Sequence, residues 1–498
     1  MDDSCADTSS PMPASGRLMA RGAVLSAGGM LISIAGTLCA SMIFTRMLSV
    51  AEVGIFTLLI LMCDVVIYIN NFGLYASLPK LVATAKSSER ASFIGSILGI
   101  QLLISLCFGA LIWGAQWIVR DPAVISQNQS WLGLYPYLWL LPFFFLAGTQ
   151  RETIAGIMAG LNRYGRRSLA IAGAAIADAL FVIALVWWLK GGLAMLLVAT
   201  VGSYFVSALV LYVGLPQGRR LALKWRHFKE AVAFSWPLYI NCLLTLVFQR
   251  LDTAIIAILL GPVQVAYYEM VRRLPFILSR LLGAALVPFL PGVSARIAQD
   301  DFEGASRLVN KTVSITAFLS YSAVLAVLVI QEPLVSALFS AKYLPAIPVL
   351  WLLLTGICVA VQAGVMGLAL VAANRPKAIT VINVFSAVAS VGGCVILIPW
   401  FGLIGAGIAY LAAMAFSNLA QTLYARKSGL AIDLLQFGKP HAWMALALIV
   451  TLGTDTVVGR VFGLGLFVTI CILTGVMRVS QIRDLGRLLL PSRSRMPL

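Results

Sequence analysis

The fold class the sequence predicts is an all-α polytopic membrane protein of 14 transmembrane helices: two parallel six-helix lobes plus a terminal helix pair. Three observations predict it. The composition is apolar, the basic residues fall in alternate loops, and the chain repeats itself at an offset of about 212 residues.

Hydrophobic residues make up 60% of the 498 and charged ones only 11%, with a mean hydropathy of +0.96. Soluble globular compositions do not reach such values. The formal charge of +17 would suggest nucleic acid in a soluble protein. Here the basic residues sit in short clusters between apolar runs, so no nucleic-acid partner is expected. Eight cysteines are scattered without a Cys-x-x-Cys pair, and seven lie inside apolar runs, as small packing residues do. His227 and His441 lie near segment ends, and no metal site or cofactor is expected.

At about 20 apolar residues per span, the chain offers candidates at 23–45, 53–73, 93–117, 133–158, 168–189, 192–214, 232–258, 264–290, 313–337, 346–371, 378–399, 403–425, 440–458 and 460–478. Residues 1–20 read as a disordered cytoplasmic tail, 21–225 as the N-lobe, 226–430 as the C-lobe, 431–480 as helices 13 and 14, and 481–498 as a basic cytoplasmic tail. Loop charge tests the count, because cytoplasmic loops carry the excess of Lys and Arg. Both termini and every second loop hold 26 of the 36 basic residues, in clusters such as Lys80, Lys86, Arg90, then Arg163, Arg166, Arg167, then Arg219, Arg220, Lys224, Arg226, Lys229. The opposite loops hold five: Arg46, Arg120, Lys190, Lys342 and Arg460. A miscounted span would scramble this alternation.

At the offset of about 212, Asn162-Arg163 falls on Asn374-Arg375, Trp188 on Trp400, and LSVAEVGIF from Leu48 on LGPVQVAYY from Leu260. An even number of spans separates the copies, so the repeat is parallel. Intramembrane charges do not repeat. Asp64, Arg151, Glu152 and Asp178 lie in the first half; Arg250, Asp252, Glu269, Arg272, Arg273 and Arg280 lie in the second. By this division the first half is net negative and the second net positive. Such groups cost roughly 2.5 to 3.5 kcal/mol each at bilayer depth even on insertion scales, so they are expected to face protein or a water-filled path.

Ser33, Thr37, Ser41 and Thr45 share a face of the first span, and Thr57, Asp64, Tyr68 and Asn71 share one of the second. Hydroxyls alone favour helix packing; Asp64 in the neighbouring span favours a cavity. Gly156/Gly160 and Gly95/Gly99 read as close helix contacts, and Pro237, Pro275 and Pro288 as local breaks. Asn128-Gln129-Ser130 matches a glycosylation acceptor. Glu269 can pair with Arg272 or Arg273 one turn along its helix. Arg280 has no acid within a turn, which leaves two readings: an ion pair with Asp64 or Asp178, or a guanidinium surface for phosphates.

FTRMLSVAEVGIFTLLILMCDVVIYINNFGL (Phe44 to Leu74), followed downstream by FQRLDTAIIAILLGPVQVAYYEMVRRLPFIL and LVPFLP, resembles the polysaccharide transporters of the multidrug/oligosaccharidyl-lipid/polysaccharide exporter superfamily. In particular it resembles the O-antigen and exopolysaccharide repeat-unit flippases, over about residues 20 to 480. The resemblance implies a multi-pass protein of the cytoplasmic (inner) membrane with both termini cytoplasmic. It also implies alternating-access export of undecaprenyl-pyrophosphate-linked oligosaccharide, with membrane lipids and a polysaccharide polymerase or export machinery as further partners. On this sequence the family's Thr-Arg maps onto Thr45-Arg46 and its acidic position onto Asp252. The candidate cavity residues are thus Arg46, Asp64, Asp178, Arg250, Asp252, Arg272, Arg273 and Arg280. A cation-coupled multidrug exporter would want an acid in the first span, and a lipid II flippase a mid-membrane Arg or Asp there; neither is present. A polymerase or glycosyltransferase would want a sizeable loop outside the membrane. No Walker A, Gly-x-Ser-x-Gly or His-Glu-x-x-His motif occurs, so an enzyme is not expected.

Overall fold

The computed structural model describes residues 14–118, 133–161, 163–216, 220–286, 289–454 and 456–477, and among them the chain is helical, with no strand. Residues 1–13 with Cys5, Arg120, the Asn128-Gln129-Ser130 acceptor, Asn162, Arg219, Pro288 and the basic tail from Arg478 lie outside the described residues. The first helix begins at Ala14, within the stretch expected to be a disordered tail.

The chain divides into two compact units, Met1–Arg250 and Leu251–Leu498. The first contains α1 (Ala14–Met47), α2 (Val50–Asn70), α3 (Leu74–Thr84), α4 (Ser87–Ile118), α5 (Leu141–Gly160), α6 (Tyr164–Phe181), α7 (Gly192–Val213) and α8 (Trp225–Leu260) as far as Arg250. α5 is entered through the 3-10 turn Tyr135–Leu140, and α6 runs on into the π-helical turn Val182–Trp188. A capping box starts α2: Ser49 Oγ accepts from Glu52 N–H at 3.2 Å, while Ser49 N–H donates to the Glu52 carboxylate at 2.8 Å. Leu74, Leu78 and Val82 of α3 pack with Ile94 and Ile97 of α4, Ile157 and Met158 of α5, and Phe228 and Ala231 of α8. The close helix contact expected at Gly156 and Gly160 is present. A Cβ on Gly160 would lie 2.8 Å from Pro79 O and from Val82 Cβ, and one on Gly156 3.2 Å from Tyr75 O, so α5 lies directly against α3. Gly95 and Gly99 meet the loop residue Ala222, whose N–H donates to Gly95 O at 3.0 Å, in place of another helix.

The second unit holds the rest of α8, then α9 (Pro262–Ala285), α10 (Phe289–Ile297), α11 (Phe302–Val329), α12 (Gln331–Phe339), α13 (Ile347–Ala372), α14 (Pro376–Phe401), α15 (Leu403–Lys427), α16 (Leu434–Leu452) and α17 (Val457–Leu473). Gly261, at φ +82°, ends α8, and Pro262 supplies the fixed φ that starts α9. The terminal pair docks on α11 through Phe467 stacked on Phe318 at 6.2 Å and His441 edge-on to Tyr321 at 5.8 Å. Pro237 and Pro275 sit inside continuous helices and break neither.

Each of the fourteen expected spans overlaps a helix. Nine of these, among the described residues, are long and apolar enough by length and composition to cross a membrane. The other five are α5, α8 and α9, which carry eight of the ten internal charges, and α16 and the shorter α17. Element order repeats as the sequence implies. α5 ends at Gly160 and α13 at Ala372, each entered through a 3-10 turn, and both second spans are followed by a short separate helix, α3 or α10. One boundary differs from the expected one at 225. Residues 225–250 of α8 pack within the first unit, where Ser235 Oγ meets Ser77 Oγ at 2.5 Å and Gly73 leaves only 2.8 Å between its absent Cβ and Tyr239 N.

Candidate functional site

The turn Asn71-Phe72-Gly73 separates α2 from α3, with positive φ at Phe72 (+50°) and Gly73 (+72°). A helix that ends near the membrane must satisfy its last carbonyls internally, and here it does. Ile67 O accepts from Asn71 N–H at 3.0 Å, Ile69 O from the Tyr239 hydroxyl at 3.1 Å, and Asn70 O from the Gln101 amide at 2.8 Å. Asn71 Oδ1 then accepts from Tyr75 N–H at 2.8 Å at the head of α3. Irregular backbone of this kind is tolerated where it borders a cavity.

Such a cavity is present in the first unit, with a volume of about 280 Å³. Asp64, Tyr68, Asn71, Gly73 and Tyr75 line it from α2, the turn and α3, Glu152 from α5, Tyr204 from α7, and Gln249 and Arg250 from α8. Inside it Arg250 Nη2 donates to Asp64 Oδ2 at 2.5 Å, with the two side chains 32% and 19% exposed. Arg151 stacks over the Tyr204 ring at 4.8 Å and lies 3.9 Å from the Glu152 carboxylate. The wall therefore offers carboxylates, a paired guanidinium, amides and tyrosine rings, the mixture that suits a hydroxyl-rich substrate carrying an anionic group.

A second polar cluster lies in the second unit. Arg272 donates to Glu269 at 2.9 Å, to Asp252 at 3.3 Å and to Thr253 Oγ1 at 3.2 Å. The fully buried Tyr268 donates to Asp252 at 2.7 Å, and Thr253 Oγ1 donates to Glu269 at 2.5 Å. These bonds tie the end of α8 to α9 across the Gly261-Pro262 turn.

The structure places the other expected residues as follows. Arg46 Nη1 donates to Met42 O of its own helix at 2.5 Å, and Thr45, Ser41 and Thr57 bond backwards to carbonyls of theirs. Those hydroxyls thus serve their own helices, whereas Asp64, Tyr68 and Asn71 of the second stripe line the cavity. Asp178 is partly buried on α6 and does not line the cavity. Arg273 lies on α9 within electrostatic reach of Tyr343. Arg280 lies on α9 with its guanidinium 4.3 Å from the Phe276 ring one turn earlier, and within the first unit Asp64 is bonded to Arg250. Placing Arg250 with the first unit also revises the charge division. That unit sets two intramembrane arginines against three carboxylates, and the second sets three against two, so the imbalance is half that expected. Sequence reasoning missed Tyr204, one of two tyrosines in an apolar span, and it missed Tyr268 and Thr253. The Asn-Asn-Phe-Gly turn was legible as punctuation inside an apolar run.

Comparison with known proteins agrees with this picture. A probable low-salt glycan biosynthesis flippase of Haloferax volcanii is 21% identical over 76% of this chain and 78% of its own length. An uncharacterized membrane protein in the cps region of Klebsiella pneumoniae is 24% identical over 41% of this chain and 42% of its own. In fold, the chain resembles the inward closed conformation of the lipid II flippase MurJ. That match has a TM-score of 0.73 at 12% identity and covers 93% of this chain and 100% of that one. An inward-facing multidrug resistance MATE transporter of the MOP superfamily gives a TM-score of 0.61 at 16% identity, over 81% and 97%. The Haloferax protein and the two solved structures are described as flippases or a transporter. Residues 43–348 match the profile of the polysaccharide biosynthesis protein family, well over half the chain, and the protein is a membrane-embedded member of that family.

Proposed function

We propose that the protein is a flippase that moves undecaprenyl-pyrophosphate-linked oligosaccharide repeat units, of an O-antigen or exopolysaccharide, from the cytoplasmic to the outer leaflet of the cytoplasmic membrane. The observation that carries this reading is the polar cavity at the α2–α3 break, in a member of a polysaccharide biosynthesis family with a transporter fold. Arg250 is the phosphate-facing group. Its guanidinium is held ready by Asp64, and a diphosphate offers the same bidentate oxygen geometry as the carboxylate it would displace. Tyr68, Tyr204, Asn71 and Glu152 are the sugar-facing groups. Arg272 and Asp252, bonded to each other, serve to hold the α8–α9 hairpin. A cation exporter would use the cavity's carboxylates, but Asp64 is already neutralised by Arg250.

Deletion of the gene tests the proposal, with lipid-linked glycan assayed by leaflet. Accumulation on the cytoplasmic leaflet is expected, reversed by the wild-type protein and not by Arg250→Ala. Unchanged delivery to the outer leaflet in the deletion strain would overturn it.

A further inference from the structure

Away from the Asp64–Arg250 pair, the same cavity wall reaches a second arginine. Tyr75 lines the cavity, and its hydroxyl accepts a hydrogen bond from Arg167 Nη2 of α6 at 2.9 Å, with the guanidinium 5.9 Å from the tyrosine ring. Arg167 belongs to the cluster Arg163, Arg166, Arg167, on the side that the loop charges assign to the cytoplasm. Arg166 is committed elsewhere, to Gly214 O at 2.8 Å. Arg167 has no ion pair among the described residues, and its Nε–H is closed off from solvent without an acceptor. Guanidinium cannot shed its charge, so an anion that reaches the Arg167 head meets a cation with no ion pair among the described residues. Tyr75 accepts from Arg167 and keeps its own O–H to donate. On α3, which carries no acidic residue, Lys80 is exposed with its Nζ 5.0 Å from the Phe234 ring. The Arg167–Tyr75 pair offers N–H and O–H donors and a positive charge.

We propose that Arg167 and Tyr75 form a docking site for the diphosphate head group of the lipid-linked substrate, occupied before the group reaches Arg250 in the cavity. This rests on the flippase reading and adds an entry station to it. Long-range attraction to Lys80 and its basic neighbours gathers the anion. Arg167 then fixes it through paired N–H donors. Tyr75 belongs to both sites, since it is bonded to Arg167 and lines the cavity that contains Arg250.

The alternative role for the Arg167–Tyr75 bond is a brace between α6 and α3, and the test separates the two. Full-length protein in lipid nanodiscs is titrated with farnesyl pyrophosphate, with farnesol as the uncharged control, over a range of salt concentrations. Arg167→Gln should weaken farnesyl pyrophosphate binding at least about tenfold, the loss expected for a hydrogen bond to a charged group, and should flatten its salt dependence. Arg167→Lys should recover part of the loss, since it keeps the charge without the fork. Tyr75→Phe should cost less than Arg167→Gln, and farnesol should not respond to any of them. Wild-type binding and salt dependence in Arg167→Gln, alongside a loss in Arg250→Gln, would overturn the docking site and leave the flippase reading standing. Equal losses in Arg167→Gln and Tyr75→Phe, shared by farnesol, would assign the pair to bracing and overturn it as well. Failure of wild-type protein to bind farnesyl pyrophosphate at all would overturn the flippase reading itself.

Discussion

Removing Arg250 should leave the Asp64 carboxylate in the cavity beside Glu152 without the guanidinium that bonds to it. Breaking a fully buried ion pair costs about 3–5 kcal/mol, and an exposed pair is worth about 0–1 kcal/mol. With Arg250 and Asp64 32% and 19% exposed, the pair lies between these limits. The Coulomb estimate of roughly 4 kcal/mol at 4 Å and an effective dielectric constant of 20 has to be reduced for that solvent access. We therefore expect a coupling of about 2 kcal/mol. Reversible unfolding in mixed micelles by added dodecyl sulfate measures it through a double-mutant cycle of Arg250→Ala, Asp64→Asn and the double variant. Each single change should destabilise, and the double should lose about 2 kcal/mol less than the sum. A coupling below about 0.5 kcal/mol, the ordinary scatter of additivity, would refute the pair as a structural element.

Gly160→Leu should destabilise by about 1–3 kcal/mol, because Pro79 O and Val82 Cβ lie 2.8 Å from where its Cβ would be; unfolding of the purified variant checks it. Reporter fusions after Arg220, Lys311 or Lys427 should read as cytoplasmic and those after Lys190 or Lys342 as external, and Arg220 outside would undo the span count. Export by the purified protein in sealed vesicles should proceed without ATP, since no nucleotide motif is present; strict ATP dependence would contradict this. Arg250→Ala and Asp252→Ala should add in their effects on stability to within about 0.5 kcal/mol, because the two residues bond to separate clusters; a larger coupling on unfolding would show otherwise.

The membrane class, the positions of the helices and the repeat were legible because they depend on one-dimensional patterns. Hydropathy sets the spans, and a 212-residue offset survives as Gly160 over Ala372. The partners of the charges were not legible. Glu269 with Arg272 could be anticipated from one turn of helix, but Asp64 with Arg250 joins residues 186 apart in sequence, and any of four other arginines met the same compositional demand. Arg280 has no acid within a turn of its own helix, and the neighbour it does have there, the Phe276 ring one turn earlier, attracts a cation without carrying a charge that composition would reveal. Tyr204 lines the cavity through the packing of α7 beside α5, where Phe144 contacts its ring at 4.5 Å, and nothing in its local sequence marks it.

Helix α8 explains why the charges could not be divided by halves. By the repeat it opens the second half, as α1 opens the first, yet its residues up to Arg250 pack within the first unit. Arg250 and Asp252 lie two residues apart, so on a helix they point about 200° apart around the axis, and each can satisfy a different set of partners without competing. Arg250 goes to Asp64 on α2; Asp252 goes to Arg272 and Tyr268 on α9. Each unit thus secures its own length of one continuous helix with a polar clamp, and in the first unit that clamp lies in the cavity wall. On the proposed function, an anion that competes for Arg250 loosens one of the two bonds holding this stretch of α8 to α2 and leaves the other, from the Tyr239 hydroxyl to Ile69 O, in place.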